Sequence, residues 1–474
     1  MSSFLSPTSF SDPDARFVQL ISRTAMTASE EAALRSLVKR LGDPERTWTL
    51  AERHGVAGLA VYHLHRLRLL DDLPADLGER FRHYGKAVLG HNMQAMGELV
   101  RVVQACREEG VEVLPIKGPV LAQQFYGNIA LRRFVDVDVI VRRSDIDTTI
   151  HVLHRLGYEI GRDELKGRIE ASVQAQIGIE MVHPDRRVVV EVHWAFLNRT
   201  YHIDLQPQDV WRRAITTHVG GIPMHAMETE DLLVYLCAHG TKHHWSRLKW
   251  ACDVAEVVRK SPEIDWEMLI HRAHGLQCER IVYLGLAIAH RWLGASVPLD
   301  VLRAIESDDM VKTLIEQVEA GWLFSDEPLE SEPSPRRVLF TLRTRTRWRD
   351  SFRFFRHIAG VVLRPSRRDR SLVDLPAWLS IAYVFVRPMR LAWDGISLLR
   401  DRQWPDTSPE DVPADDAAAA PDLLGDRVRE TRGNAVPPFV PAARPSRTED
   451  AGSTSMTHGR VATGEESVSS DMHA

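Results

Sequence analysis

The stretch FVDVDVIV, residues 134–141, decides the fold class of this 474-residue chain. Side chains alternate across a β-strand, so residues two apart share one face. The pattern therefore predicts a strand whose core face carries Val135, Val137 and Val139. The other face carries Asp136 and Asp138, whose carboxylates would stand roughly 7 Å apart and repel unless solvated, protonated or neutralised. The stretch is either an edge strand with a solvated acidic face or part of a cation site.

A strand-to-helix turn lies just upstream, in PIKGPVLAQQFYG, residues 115–127. Pro119 suits the first position of a helix, and Gly118 allows the backbone to approach a ligand closely. The N-terminus of a helix carries a partial positive charge that favours phosphate, and Lys117 adds a full charge. The turn is therefore either a phosphate-binding site or an ordinary structural junction.

A further strand is predicted downstream in RRVVVEVHW, residues 186–194, where Glu191 stands in a strongly apolar context. Alone, this glutamate could be an edge-strand residue. Three carboxylates on two neighbouring strands can instead hold two divalent cations, and Mg²⁺ is typically bound by few carboxylates together with phosphate oxygens. Asp136, Asp138 and Glu191 therefore form a candidate site for Mg²⁺ or Mn²⁺.

Together these motifs resemble the bacterial uncharacterised nucleotidyltransferases, a family of the DNA polymerase β-like superfamily. The family pattern has Lys-Gly before a helix, an arginine four residues before Asp-x-Asp, and then a helix that ends in Gly-Tyr. The resemblance extends over about residues 30–395. The matching residues in this chain are Lys117, Gly118, Arg132, Asp136, Asp138, Gly157 and Tyr158.

The resemblance implies a metal-dependent enzyme that transfers a nucleoside monophosphate from an NTP to an acceptor and releases pyrophosphate. Asp136 and Asp138 would hold Mg²⁺ or Mn²⁺, and Glu191 would complete the second metal site and help to deprotonate the acceptor. The sequence does not identify the acceptor, which could be a small molecule, a peptide, a protein or an RNA end.

The nucleotide contacts that the resemblance implies depart from the superfamily in one respect. The wider superfamily usually has Gly-Ser at the start of the helix, whereas this chain has Gly-Pro, and proline offers neither a hydroxyl nor an N–H. A helical domain is expected to close over the nucleotide, where two histidines four residues apart share a helix face. The expected nucleotide-binding residues are Lys117, Gly118, Arg132, Arg133, His239 and His243.

Two other functions compete with nucleotidyl transfer. In a glycosyltransferase, Asp-x-Asp holds one metal ion against a nucleotide-sugar diphosphate, and a Glu191 far from Asp136 would favour this class. A non-catalytic module would bind a nucleotide or a partner protein through a relic site. Pro119 favours that reading, and nucleotide binding without turnover would support it.

The predicted fold class is α+β, with a small nucleotidyltransferase-type α/β core and a mixed sheet flanked by helical regions. Helical periodicity surrounds the strands on both sides, and the composition beyond Trp404 has few large apolar residues. The predicted divisions are an N-terminal helical region (1–110), the core (111–227), a helical domain (228–330), an arginine-rich helical segment (331–402) and a disordered tail (403–474).

Composition and charge limit the remaining alternatives. The net charge of −5 predicts no global attraction to nucleic acid, and the four cysteines lack the spacing of a zinc site or a disulfide framework. No signal peptide or membrane-spanning segment is predicted, so we expect a cytoplasmic protein. The arginine-rich stretch Arg336–Arg370 predicts an amphipathic helix with inward aromatic residues, with weak contact to an anionic surface as the alternative.

Overall fold

The computed structural model describes residues 3–354 except residues 7, 162–176, 187, 197–202, 204, 322, 325–334, 348, 350 and 353. The tail predicted for residues 403–474 and residues 355–370 of the arginine-rich stretch lie outside the described residues. Within the described ranges the chain is mostly helical, and strands occur only between residues 114 and 226.

Amphipathic helices come first along the chain, and the first three begin with a side-chain cap. Thr27 and Glu30 form a capping box, in which each side chain accepts a hydrogen bond from the other residue's backbone N–H. The long fifth helix ends just before Gly110, which has a φ of +73°. The helices are α1 (Pro13–Ile21), α2 (Ala28–Val38), α3 (Pro44–Arg53), α4 (Ala57–Arg66) and α5 (Ala75–Glu108).

A five-stranded mixed sheet forms the α/β core. Its strands are β1 (Leu114–Pro115), β2 (Asp136–Ile140), β3 (Glu159–Ile160), β4 (Gly178–Val182) and β5 (Val189–His193). They lie in the order β1-β2-β5-β4-β3, with β2 and β5 parallel and the other neighbours antiparallel. Helix α6 (Pro119–Gln124) follows β1 and α7 (Ile146–Arg155) follows β2. The mixed sheet among helices confirms the predicted α+β class.

The alternation predicted for residues 134–141 is confirmed in the strand itself. Val137 and Val139 are fully buried in the core. The prediction was wrong for Val135, which is 41% exposed, because β2 begins only at Asp136 and the preceding residue does not follow the strand's alternation. The core therefore receives the valines from the middle of the stretch, and the aspartates occupy the opposite face.

A hairpin and further helices complete the described chain. Helix α8 (Pro207–Arg213) precedes the strands β6 (Ile215–Val219) and β7 (Ile222–Ala226), whose turn consists of two glycines with positive φ. The helices that follow are α9 (Thr229–Lys242), α10 (Leu248–Lys260), α11 (Trp266–Gly275), α12 (Glu279–Leu293), α13 (Leu299–Glu306), α14 (Asp309–Gly321) and α15 (Pro335–Arg343). None of the described helices has the length and apolarity needed to cross a membrane.

The described part of the arginine-rich stretch packs some of its aromatic residues inward. Phe340 and Phe354 are buried, and the guanidinium of Arg345 lies 5.1 Å from the centre of the Phe354 ring. Phe352, in contrast, is exposed. This mixture agrees with the expected amphipathic character, while contact with an anionic surface stays a prediction.

A buried ion pair joins the segment before β2 to helix α10. The guanidinium of Arg132 donates two hydrogen bonds to Asp253, from Nε to Oδ1 at 2.7 Å and from an η nitrogen to Oδ2 at 2.9 Å. The hydroxyl of Tyr126 donates a third to Oδ1 at 2.7 Å. Asp253 is 2% exposed, so its charge depends on these partners. The pair therefore holds the helical part of the chain against the core.

Replacing this carboxylate should destabilise the fold. We expect Asp253→Ala to lower the free energy of unfolding by about 3 kcal/mol or more, because a buried guanidinium loses its acceptor. Urea denaturation measures the change. The control Asp71→Ala removes an exposed partner of Arg82 and should cost less than about 1 kcal/mol. Equal losses in the two variants would show that the buried pair does not join these parts.

Candidate functional site

Acidic side chains meet on one face of the sheet where β2 runs parallel to β5. Asp138 lies opposite Glu191 in the register of the two strands, and Asp136 shares their face two residues earlier. The Asp138 side chain is only 1% exposed, whereas that of Glu191 is 32% exposed. Burying adjacent carboxylates favours their protonated forms unless positive groups lie nearby. The site therefore requires cationic partners.

His193 is one of these partners. Its Nε2 lies 3.1 Å from Asp138 Oδ1 and 3.1 Å from Glu191 Oε2. One potential ligand atom from each of Asp138, Glu191 and His193 lies within 4.8 Å of the others. The sequence predicted Asp136 as a metal ligand beside Asp138 and Glu191. In the structure, His193 forms a potential ligand group with Asp138 and Glu191.

Lys117 is the second partner. Its Nζ lies 2.9 Å from Asp138 Oδ2. Burial by itself would lower the pKa of Lys117, but the charges of Asp138 and Asp136 hold that pKa well above its usual value. The lysine predicted to contact phosphate thus remains charged and pairs with a carboxylate of the site.

Asp136 and Glu191, the carboxylates on either side of Asp138, differ in their affinity for protons. Burial and the charge of Asp138 raise the pKa of Asp136. Burial also favours the protonated form of Glu191, yet the hydrogen bond from His193 lowers the pKa of Glu191 overall. Asp136 is therefore the group better suited to accept a proton, and Glu191 remains ionised.

Two glycines allow these side chains to reach each other. Gly118 has a φ of +64°, which disfavours other residues, and a Cβ there would lie 3.3 Å from the carbonyl oxygen of Asp136. Gly178 on β4 pairs with His193, and a Cβ at this position would lie 2.5 Å from the imidazole Nδ1. Any larger residue at Gly178 would displace the ring from the carboxylates.

The helical part contributes an aromatic surface near the same site. On α9 the rings of Tyr235 and His239 are 5.9 Å apart, and those of His239 and His243 are 4.7 Å apart. Burial lowers the pKa of both histidines well below the usual value, and the charge of Lys117 contributes in each case. Both histidines are therefore neutral at pH 7 and lie within electrostatic reach of Lys117 in the acidic site.

The two arginines predicted to bind nucleotide have other neighbours. Both nitrogens that Arg132 directs at Asp253 are engaged in the buried pair described above. Arg133 lies near Tyr84 and His91 on α5. Burial raises the pKa of Tyr84 and lowers that of His91, and the charge of Arg133 opposes the first shift and adds to the second. Nucleotide contact by these arginines stays a prediction, and the geometry gives Arg132 a structural task.

Several site residues carried no clear signal in the sequence. His193 follows Glu191 at strand spacing, which indicates a shared face but no role. Gly178 and Glu180 lie on β4, a strand that was not predicted from the sequence. Glu180 stands opposite Glu191 in register. A Cβ at Gly161 would lie 3.4 Å from its Oε1, which places Glu180 beside β3.

Comparison with known proteins identifies one matching family over the central part of the chain. The family described as uncharacterised nucleotidyltransferase matches residues 41–294, more than half of the 474 residues. The matched range includes the whole acidic site and helices α9 and α10. No curated protein matches the chain.

The imidazole between the carboxylates predicts a pH dependence of the metal-free protein. Burial would lower the pKa of His193, but its hydrogen bonds with Asp138 and Glu191 raise that pKa to about 9, above the usual 6.5. The stabilisation is therefore fully present below pH 6.5 and is lost as the pH rises through 9. Urea denaturation in EDTA should show the parent losing its advantage over His193→Gln across this window.

Buried thiols also titrate at high pH, but they do so in both proteins. The difference in free energy of unfolding between the parent and His193→Gln therefore reports the contribution of His193 alone. Among the described residues, the buried Nδ1 of His193 has no hydrogen-bond partner. If that missing partner prevents protonation, the two stability curves will stay parallel from pH 6 to 10, and the imidazole will not be the cation of the site.

Proposed function

The chain belongs to the uncharacterised nucleotidyltransferase family, and on that premise we propose that it transfers a nucleoside monophosphate from an NTP to an acceptor, releasing pyrophosphate. Mg²⁺ or Mn²⁺ at the acidic site assists the transfer. The observation that supports this most strongly is the in-register pairing of Asp138 with Glu191, next to Lys117. The acceptor is a hydroxyl or phosphate group on an unidentified molecule.

The donor set fits a hard divalent cation. Two carboxylates and one imidazole within 4.8 Å of each other can contribute ligands from one side, which leaves the other positions for water and phosphate oxygens. Lys117 and His193 offset the carboxylate charge in the metal-free protein. A cation held by Asp138, Glu191 and His193 would supply positive charge for the phosphate oxygens and make the acceptor hydroxyl more acidic.

The residues of the chain have distinct tasks in the transfer. Asp136 would take the proton of the acceptor O–H, since it shares the face of Asp138 and Glu191 at the start of β2. The acceptor oxygen forms a bond to the α-phosphorus, and the bond from that phosphorus to the bridging oxygen of the β-phosphate breaks. Pyrophosphate leaves with the electron pair. Glu191 would act as a metal ligand, and the part in deprotonation expected of it from the sequence stays a prediction.

The competing functions make different predictions from the same site. The glycosyltransferase reading was to be favoured by a distant Glu191, and the register places Glu191 directly beside Asp138. The non-catalytic reading rests on Pro119, which stands at the first position of α6. Nucleotide binding without transfer would support that second reading.

Glu191→Gln should reduce divalent-dependent transfer at least about 100-fold, because changes even one shell beyond a metal ligand cost about 10- to 100-fold. Glu191 is the more exposed of the two paired carboxylates, and its replacement leaves the Lys117–Asp138 pair intact. The assay follows labelled NTPs with Mg²⁺ or Mn²⁺ and a cell extract, and it locates the label on the acceptor.

Glu79→Gln is the control, since it makes the same chemical change on α5, outside the sheet. The Glu79 side chain is 70% exposed, so transfer should continue at the parental rate. Parental transfer by Glu191→Gln would contradict the proposed metal site. Binding of labelled NTP by the parent without any transfer would favour the non-catalytic module.

A further inference from the structure

Asp136 lies at the start of β2, where the described sheet pairs only one side of the strand. On that side Asp136 pairs with Val189 of β5. On the other side, within the described chain, β1 pairs with the last two residues of β2, and the N–H of Ile116 extends this contact to the carbonyl of Asp138. The position of Asp136 therefore depends on the segment that leads into β2.

That segment contains a 3₁₀ turn, Ile129–Leu131, which one buried amide holds against α5. Asn92 of α5 is fully buried, and its Nδ2 donates hydrogen bonds to the carbonyl of Ile129 at 2.5 Å and to that of Arg132 at 3.0 Å. A carbonyl only accepts, so the two N–H bonds of the amide nitrogen match this pair. In the described part of the chain the Oδ1 of Asn92 has no partner, which costs stability. An apolar residue would avoid that cost but would leave both carbonyls without this donor.

Two further helices hold the same turn. Gly58 on α4 approaches it so closely that a Cβ there would lie 2.5 Å from the carbonyl oxygen of Ala130. On α10, Asp253 accepts two hydrogen bonds from the guanidinium of Arg132. The carbonyl and the side chain of Arg132 thus both have fixed partners, and Asp136 follows four residues later.

We propose that Asn92 is a positioning residue for nucleotidyl transfer. Through the two carbonyls that it binds, Asn92 holds the entry to β2 and so keeps the Asp136 carboxylate beside Asp138. Reacting groups need to be held to within about 0.5 Å by neighbours whose own conformations are fixed. Asn92 acts through Asp136 and not by contact with the substrate. This inference rests on the proposed function and adds a residue on which the same reaction depends.

Asn92→Ala tests this role, with Gln19→Ala as the matched control. Gln19 is a buried amide on α1 whose Nε2 likewise donates to two carbonyls, those of Thr8 and Trp292, so its loss removes the same kind of bond away from the sheet. In hydrogen–deuterium exchange, the amides of residues 129–136 should exchange about tenfold faster in Asn92→Ala, as expected for one lost hydrogen bond. They should exchange at the parental rate in Gln19→Ala.

The transfer assay, expressed per folded molecule, gives the second readout. Asn92→Ala should lower the rate at saturating NTP about 10- to 100-fold, because a misplacement of about 1 Å at a reacting group can cost 100-fold. The NTP and Mn²⁺ concentrations that give half the maximal rate should stay parental, because the metal ligands keep their register between β2 and β5. A merely structural amide would leave the rate per folded molecule unchanged, as expected for Gln19→Ala.

Gly58→Ala displaces the same turn without removing a polar group, and it gives the answer if Asn92→Ala does not fold. A methyl group at this position must move the carbonyl of Ala130, so exchange should become faster and the rate should fall. The control is Gly90→Ala on α5, where a Cβ would meet no described atom within 4 Å and both readouts should stay parental.

Parental exchange over residues 129–136 in both Asn92→Ala and Gly58→Ala would overturn the positioning role. Faster exchange with parental transfer, or an equal loss of transfer in Gln19→Ala, would overturn that role and leave nucleotidyl transfer in place. Faster exchange confined to this segment, for a parent that transfers no label, would leave the hold on the entry to β2 in place and overturn nucleotidyl transfer.

Discussion

One constraint underlies the architecture of the site: Asp138 and Glu191 stand side by side on parallel strands, and Asp138 is buried. Two like charges 4 Å apart repel by about 4 kcal/mol at an effective dielectric constant of 20. Lys117 and His193, at 2.9 and 3.1 Å, offset that repulsion in the absence of a metal ion. Under the proposed function, a divalent cation would take their place on this face.

The chain around the site places Lys117 and His193 against the carboxylates. Ile116 donates its N–H to the carbonyl of Asp138 at 3.2 Å, which extends the pairing of β1 and leaves Lys117 next to the carboxylate. The chain must then turn at once, and Gly118 allows this with its positive φ. On the other side Gly178 leaves space for the imidazole. The absence of a side chain at Gly118 and Gly178 therefore allows Lys117 and His193 to lie next to the carboxylates.

Much of the α+β fold and the carboxylate positions could be predicted, because alternation along β2 and β5 determines which side chains share a face. The sequence could not reveal which cation meets which carboxylate, since the partners of Asp138 come from strands that only the folded sheet brings together. The bond between Arg132 and Asp253 joins residues 121 positions apart, beyond any local pattern. Val135 was misassigned because periodicity does not show where a strand begins.

The proposed function requires that a divalent ion, bound with the triphosphate, replace Lys117 and His193 as the cationic partner of these carboxylates. Anomalous diffraction from crystals grown with Mn²⁺ and a non-hydrolysable NTP analogue tests it most directly. We expect a manganese peak in contact with Asp138, Glu191 and phosphate oxygens, with Lys117 Nζ farther from Asp138 Oδ2 than the present 2.9 Å. A bound analogue without manganese at these carboxylates, and with Lys117 and His193 still bridging them, would contradict it.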